Sequence, residues 1–249
     1  MQLPVILKTP AVAILGEKCY VELVENLNIT DVPCLKYAVS KGLGFGIVAG
    51  GSIVKVPQIL KITQARSAQG LSLSSYILET FAYLVTLAYN LRAGNPFSTF
   101  GESFFITIQD VIILALILFY GKNALGSVLA IVTCVVAFYA LYDTSLVSES
   151  QISLLYAANV PIVLMSRIPQ ILSNYKSGHT GQLSAFTIFN YFAGAAARVF
   201  TTLQEVDDNI MLAGFLLSSI VNGILALQMV YYWNATSKHD SIKNKAKLV

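Results

Sequence analysis

Residues 55–60 read KVPQIL, and residues 167–172 read RIPQIL. Each stretch sets a cation and an aliphatic residue before Pro-Gln and then continues Ile-Leu, in surroundings that are otherwise apolar. The two are 112 positions apart. The same offset carries Gln58 to Gln170, Ile59 to Ile171, Leu60 to Leu172, Leu71 to Leu183 and Ser72 to Ser184. A run of matches at one offset is the mark of an internal duplication.

The 249 residues around this pair are 55% hydrophobic and 12% charged, with a mean hydropathy of +0.67. Soluble domains carry about 25% charged residues, so the composition excludes a water-soluble enzyme or a nucleic-acid-binding module and indicates an integral membrane protein. Windows near the roughly 20 apolar residues needed to cross a bilayer predict seven spans, at 37–57, 71–91, 101–120, 124–142, 151–172, 183–203 and 210–233. The duplication then pairs spans 1 to 3 with spans 5 to 7. The expected fold is an all-α membrane protein with seven transmembrane helices, a 3+1+3 parallel repeat of triple-helix bundles. Residues 1–36 form an N-terminal arm, 37–120 the first repeat, 121–150 a linker helix, 151–233 the second repeat and 234–249 a basic tail.

An odd number of spans puts the ends on opposite sides. Lys61, Arg66, Lys122, Lys176, Lys238, Lys243, Lys245 and Lys247 fall on one side, and only Lys8, Lys18, Lys36 and Arg92 on the other. The positive-inside rule therefore expects a cytosolic C-terminus and a lumenal N-terminus. On that side Lys245 and Lys247, in KAKLV, fit a dilysine address read by the COPI coat for return to the endoplasmic reticulum; a solvated polybasic tail is the plainer alternative. Cys134 lies in an apolar span as a small hydrophobe, while Cys19 and Cys34 can pair or stay reduced. The sequon Asn28-Ile29-Thr30 lies close to the first span, where no glycan is expected.

The Pro-Gln pair in this layout resembles the PQ-loop class, which includes the SWEET sugar carriers. Within it, SKGLGFGIVAGGSIVKVPQILKI (40–62), SAQGLSLSSYILE (67–79), NYKSGHTGQLSAFTIF (174–189) and AARVFTTLQE (196–205) resemble the mannose-P-dolichol utilization defect protein family, from about Cys19 to Trp233. That resemblance implies an endoplasmic reticulum protein needed for the use of dolichol-phosphate-mannose and dolichol-phosphate-glucose in N-glycan precursor and GPI-anchor assembly. It leaves open whether the lipid is moved, dispersed or presented to lumenal mannosyl- and glucosyltransferases. A PQ-loop solute carrier for sugars or amino acids is the alternative.

The candidate residues follow from these two sources. Pro57 and Pro169 remove a helical hydrogen bond and free a carbonyl, so with Gln58 and Gln170 they are the expected hinge or gate; a locally satisfied amide is the plainer alternative for each glutamine. Lys55 and Arg167 either snorkel or bind a phosphate, with Arg198 as a second anion contact. Asp110 and Asn222 sit where an ionisable or amide group is expensive, and they contact sugar hydroxyls or bond helix to helix; Glu79 is a further sugar contact or else neutralises Lys55 or Arg167, leaving less charge for a phosphate. Gly178, His179, Thr180 and Gly181 make a tight turn in a cytosolic loop. Gly42, Gly46 and Gly50, at four-residue spacing, suggest a close helix contact. The only histidine besides His179 is His239, so no metal site is expected; no cofactor, nucleophile arrangement or paired catalytic carboxylates are expected either.

Overall fold

The computed structural model describes residues 4–69, 71–180 and 185–235, and these are helical throughout apart from turns. Among the described residues the α-helices are, in order, α1 (Val5–Tyr20), α2 (Val32–Ile53), α3 (Val56–Ala65), α4 (Leu73–Arg92), α5 (Phe97–Tyr120), α6 (Ala124–Tyr142), α7 (Glu149–Ala157), α8 (Asn159–Ser177), α9 (Ala185–Glu205) and α10 (Asn209–Tyr231). A π-helical turn, Val21–Glu25, follows α1. Polar side chains satisfy the first free amides of several helices. Asp31 accepts from the Cys34 N–H at 3.0 Å, Asn123 from Gly126 at 2.8 Å, and Asp208 from Ile210 and Met211 at 2.8 and 3.0 Å. Cys19 and Cys34 are joined by a disulfide, which fastens the end of α1 to the start of α2.

The expectation of seven transmembrane helices, and with it the 3+1+3 arrangement of triple-helix bundles, is corrected by the helices themselves. Among the described residues four are long and apolar enough to cross a membrane: Val32–Ala65 (α2 and α3 taken together), Phe97–Tyr120, Ala124–Tyr142 and Asn209–Tyr231. The other expected spans carry too much polarity. Helix α4 includes Glu79, Asn90 and Arg92; α8 includes Arg167, Gln170, Asn174 and Lys176; and α9 includes Arg198 and Glu205. An ionised side chain at a helix centre opposes insertion by roughly 2.5 to 3.5 kcal/mol, enough to offset several leucines. The stretch expected as 151–172 is also interrupted, with α7 ending at Ala157 and α8 starting at Asn159. Without an odd count, the assignment of connections to opposite sides loses its basis.

The chain divides into two compact units, Met1–Tyr156 with Thr201–Asp207, and Ala157–Phe200 with Asp208–Val249. In the first, α5 lies against α2, α4 and α6. Leu84, Val85, Ala88 and Tyr89 of α4 pack on Leu141 and Ile152, and the Tyr89 ring stacks on Tyr156 with centroids 4.2 Å apart. Helix α5 approaches α2 through Gly44 and Gly51. A Cβ at Gly44 would stand 2.7 Å from the Ser98 carbonyl oxygen, and one at Gly51 would overlap the Glu102 Cβ and lie 2.9 Å from its Cα. Gly42, Gly46 and Gly50 have nothing within 4 Å of such a Cβ, so the close face is the seven-residue pair and not the expected four-residue series. In the second unit, Ile188 of α9 packs with Leu225, Ala226 and Met229 of α10.

Candidate functional site

In the first unit the polar residues converge on the break between α2 and α3. Pro57 is the second residue of α3, a position that needs no helical N–H; at the expected hinge the helix is fully broken, with Val54 and Lys55 between the two helices. From that break the Lys55 ammonium reaches Asp110 of α5, with which it forms an ion pair, and Glu79 of α4 at 2.7 Å. The rings of Tyr76 and Tyr83 lie 5.4 and 5.9 Å from the same nitrogen, within cation–π range. The Asp110 side chain is fully buried and its Oδ2 has no hydrogen-bond partner; that of Glu79 is 42% exposed. One cation and two carboxylates leave the cluster with a net charge of −1. It can neutralise a donor or a second cation, and it would admit an anion at Lys55 only by displacing a carboxylate.

The residue before Asp110 completes the site, and nothing in the composition or the offset singles it out. Gln109, 5% exposed, accepts from the Lys55 backbone N–H at 2.8 Å and donates to the carbonyls of Gly51 at 2.8 Å and Phe105 at 2.9 Å. A second buried ion pair was equally hidden. Lys41 of α2 meets Glu205 at 2.7 Å, and that carboxylate also accepts from Ser40 and Ser98, each at 2.5 Å. The available signal was a lysine inside an apolar run with no carboxylate within a helical turn.

In the second unit the equivalent residues are arranged differently. Pro169 lies inside α8, and the Gln170 amide donates to Asn174 Oδ1 at 2.8 Å. Asn174 in turn donates to Gln228 Oε1 at 3.0 Å, and Gln228 donates to the Ile171 carbonyl at 3.0 Å. Arg167 has no acidic partner among the described residues; its guanidinium lies over the Tyr191 ring, 4.5 Å from the centroid. Asn222 is 4% exposed and donates to the Ser218 carbonyl at 2.9 Å, while its own Oδ1 has no partner. Arg198 is buried in α9. Gly178 ends α8 in the left-handed conformation, with φ of 67° and its N–H donating to the Asn174 carbonyl. Thr180 donates to the Met229 sulfur at 3.4 Å, and His179 is half-buried. Gln58 is half-buried on α3. Gly181, Lys245 and Lys247 lie outside the described residues.

In the connections away from the spans, Asp143 and Lys8 have displaced proton affinities. Asp143, just after α6, is held below the usual carboxylate range by the Ser145 hydroxyl and then by the Ser145 amide. Lys8 is raised by its hydrogen bond to Glu25 and by that residue's charge. Among the described residues no group of three His, Cys, Asp or Glu side chains could hold a metal ion.

Residues 39–99 and 152–211 each match the PQ loop repeat. The chain thus carries two copies of the PQ loop repeat in a multi-pass membrane protein. Among curated proteins it is similar to solute carrier family 66 member 3 of Homo sapiens, with 29% identity over 187 residues, which cover 75% of this chain and 91% of that one. No solved structure matches it.

Proposed function

We propose that this protein is a membrane carrier for a small polar solute, a sugar or an amino acid, and that Lys55, Glu79 and Asp110 form the polar centre that meets it. The carrying observation is a buried carboxylate with one oxygen unpaired, paired through the other to a lysine at a helix break inside an apolar span. Ionisable groups at such depth are retained for function rather than for stability. A hydroxyl or ammonium donor would satisfy the open oxygen, and the partial exposure of Glu79 leaves one side of the cluster accessible. The similarity to a solute carrier supports the same reading. The test is uptake of radiolabelled hexoses, neutral amino acids and basic amino acids into proteoliposomes. Accumulation of one class above protein-free vesicles is expected; uptake of none would end the proposal.

A second reading is favoured by the block GHTGQLSA at 178–185, the most specific part of the resemblance to the mannose-P-dolichol utilization defect family. In it the cargo is dolichol-phosphate-mannose or dolichol-phosphate-glucose in the endoplasmic reticulum membrane, moved across or presented to lumenal glycosyltransferases. Arg167 then suits the phosphate better than Lys55, because it stacks on an aromatic ring without an acidic neighbour among the described residues. Its test is binding and transbilayer movement of a short-chain mannosyl phosphoryl lipid. Arg167→Gln should weaken binding at least about tenfold, the loss of one charge-assisted hydrogen-bonded contact; unchanged affinity excludes Arg167 as the phosphate contact. Replacement of Lys245 and Lys247 by alanine should move the protein out of the endoplasmic reticulum if COPI retrieval operates.

A further inference from the structure

We propose that Gln109 is a clasp that splices the broken α2–α3 helix and thereby positions Lys55 against Asp110. In an uninterrupted helix the Lys55 N–H would bond directly to the Gly51 carbonyl four residues earlier. Pro57 prevents a regular helix here: it has no N–H for the Ile53 carbonyl, and its ring clashes with that oxygen. The freed pair does not go unsatisfied. The Gln109 amide stands between its two members, with Oε1 on the Lys55 N–H and Nε2 on the Gly51 carbonyl, both at 2.8 Å. Its second amide hydrogen is on Phe105, so every donor is engaged.

Only glutamine meets these requirements. Asparagine is one methylene too short, and an ionised glutamate has no hydrogen for Gly51. Because Gln109 and Asp110 are consecutive on α5, one turn of that helix holds both the backbone and the ammonium of Lys55. A swing of α3 away from α2 must release the Gln109 amide and leave two main-chain groups unpaired in an apolar span. The proline break is therefore a strapped hinge and not a loose one.

The test reads hinge geometry, so it is independent of which solute or lipid is carried. Nitroxide labels at Leu43→Cys and Leu60→Cys, both exposed, report the α2–α3 distance by pulsed EPR in liposomes, with Cys134 replaced by serine. The unaltered hinge should give one narrow distance peak, and Gln109→Leu should lose it to a broad distribution. Adding Pro57→Ala to Gln109→Leu should restore a single narrow peak, since Lys55 can then bond Gly51 directly. A Gln109→Leu distribution equal to the parent's, or one that Pro57→Ala does not narrow, overturns the proposal. If Gln109→Leu alone does not fold, recovery of folding by Pro57→Ala is the expected result, and failure of both variants assigns Gln109 a packing role and overturns the clasp.

Discussion

Lys55 and its carboxylates show how the sequence can point to one partner of a side chain, Glu79, and miss the other, Asp110. The sequence marks Lys55 because its counterpart, Arg167, stands 112 positions later, but charge spacing cannot reveal that Asp110, 55 residues away, forms the ion pair. Removing one member of a buried pair leaves an uncompensated charge, which typically destabilises by about 3–5 kcal/mol, whereas replacing both by apolar groups is often neutral. Lys55→Met should therefore lower the thermal midpoint of the purified protein markedly, and Lys55→Met with Asp110→Leu should recover most of the loss. The Lys41 and Glu205 pair obeys the same rule, so Lys41→Met should be as damaging as Lys55→Met in the same melting assay. Both effects are invisible to hydropathy, which scores a lysine identically whether or not a carboxylate is waiting for it.

Helix contacts give a sharper contrast, because nearby glycines of one helix should respond oppositely. Gly51→Ala drives a methyl into Glu102 and should destabilise by roughly 1–3 kcal/mol, as overpacking does. Gly46→Ala meets open space and should be close to neutral or slightly stabilising in the same measurement. The Cys19–Cys34 bridge closes a short loop, with a sequence separation of 15, and its reduction should remove about 3 kcal/mol on the chain-entropy account, read as a drop in melting temperature with reductant. After α6, Asp143 has a depressed proton affinity, so its contribution is present above the ordinary carboxylate value of 3.8 and lost as pH falls through the lower folded value. The protection factor of the Ser145 amide, its hydrogen exchange corrected for the intrinsic dependence on pH, should fall in that acid range and stay level between pH 5 and 8. The repeat and the helical class were legible in the sequence, since they rest on a fixed offset and on composition; Pro57 was legible as a hinge from its chemistry, but not as a full break. Span number was not, because windows at 71–91, 151–172 and 183–203 have apolar length but carry the polar side chains that the bundle uses internally.

At the scale of the whole molecule, the Cys19–Cys34 disulfide ties the end of α1 to the start of α2 within the first unit. The Lys41 and Glu205 pair lies in the same unit as this disulfide, and the Lys55, Glu79 and Asp110 cluster lies at the other end of α2. Two buried ion pairs along one span are more than anchoring in lipid demands, and that excess is the ground of the proposed carrier. The central claim is that the Lys55 cluster is the working centre. It is tested most directly by protein-dependent transport in proteoliposomes of parent and Asp110→Asn, inserted in equal amount and shown by melting to be folded, with the transported solute identified from the uptake panel. The account predicts that Asp110→Asn loses at least about tenfold in initial rate, the equivalent of one charge-assisted contact. A folded Asp110→Asn protein that transports at the parent rate would contradict it.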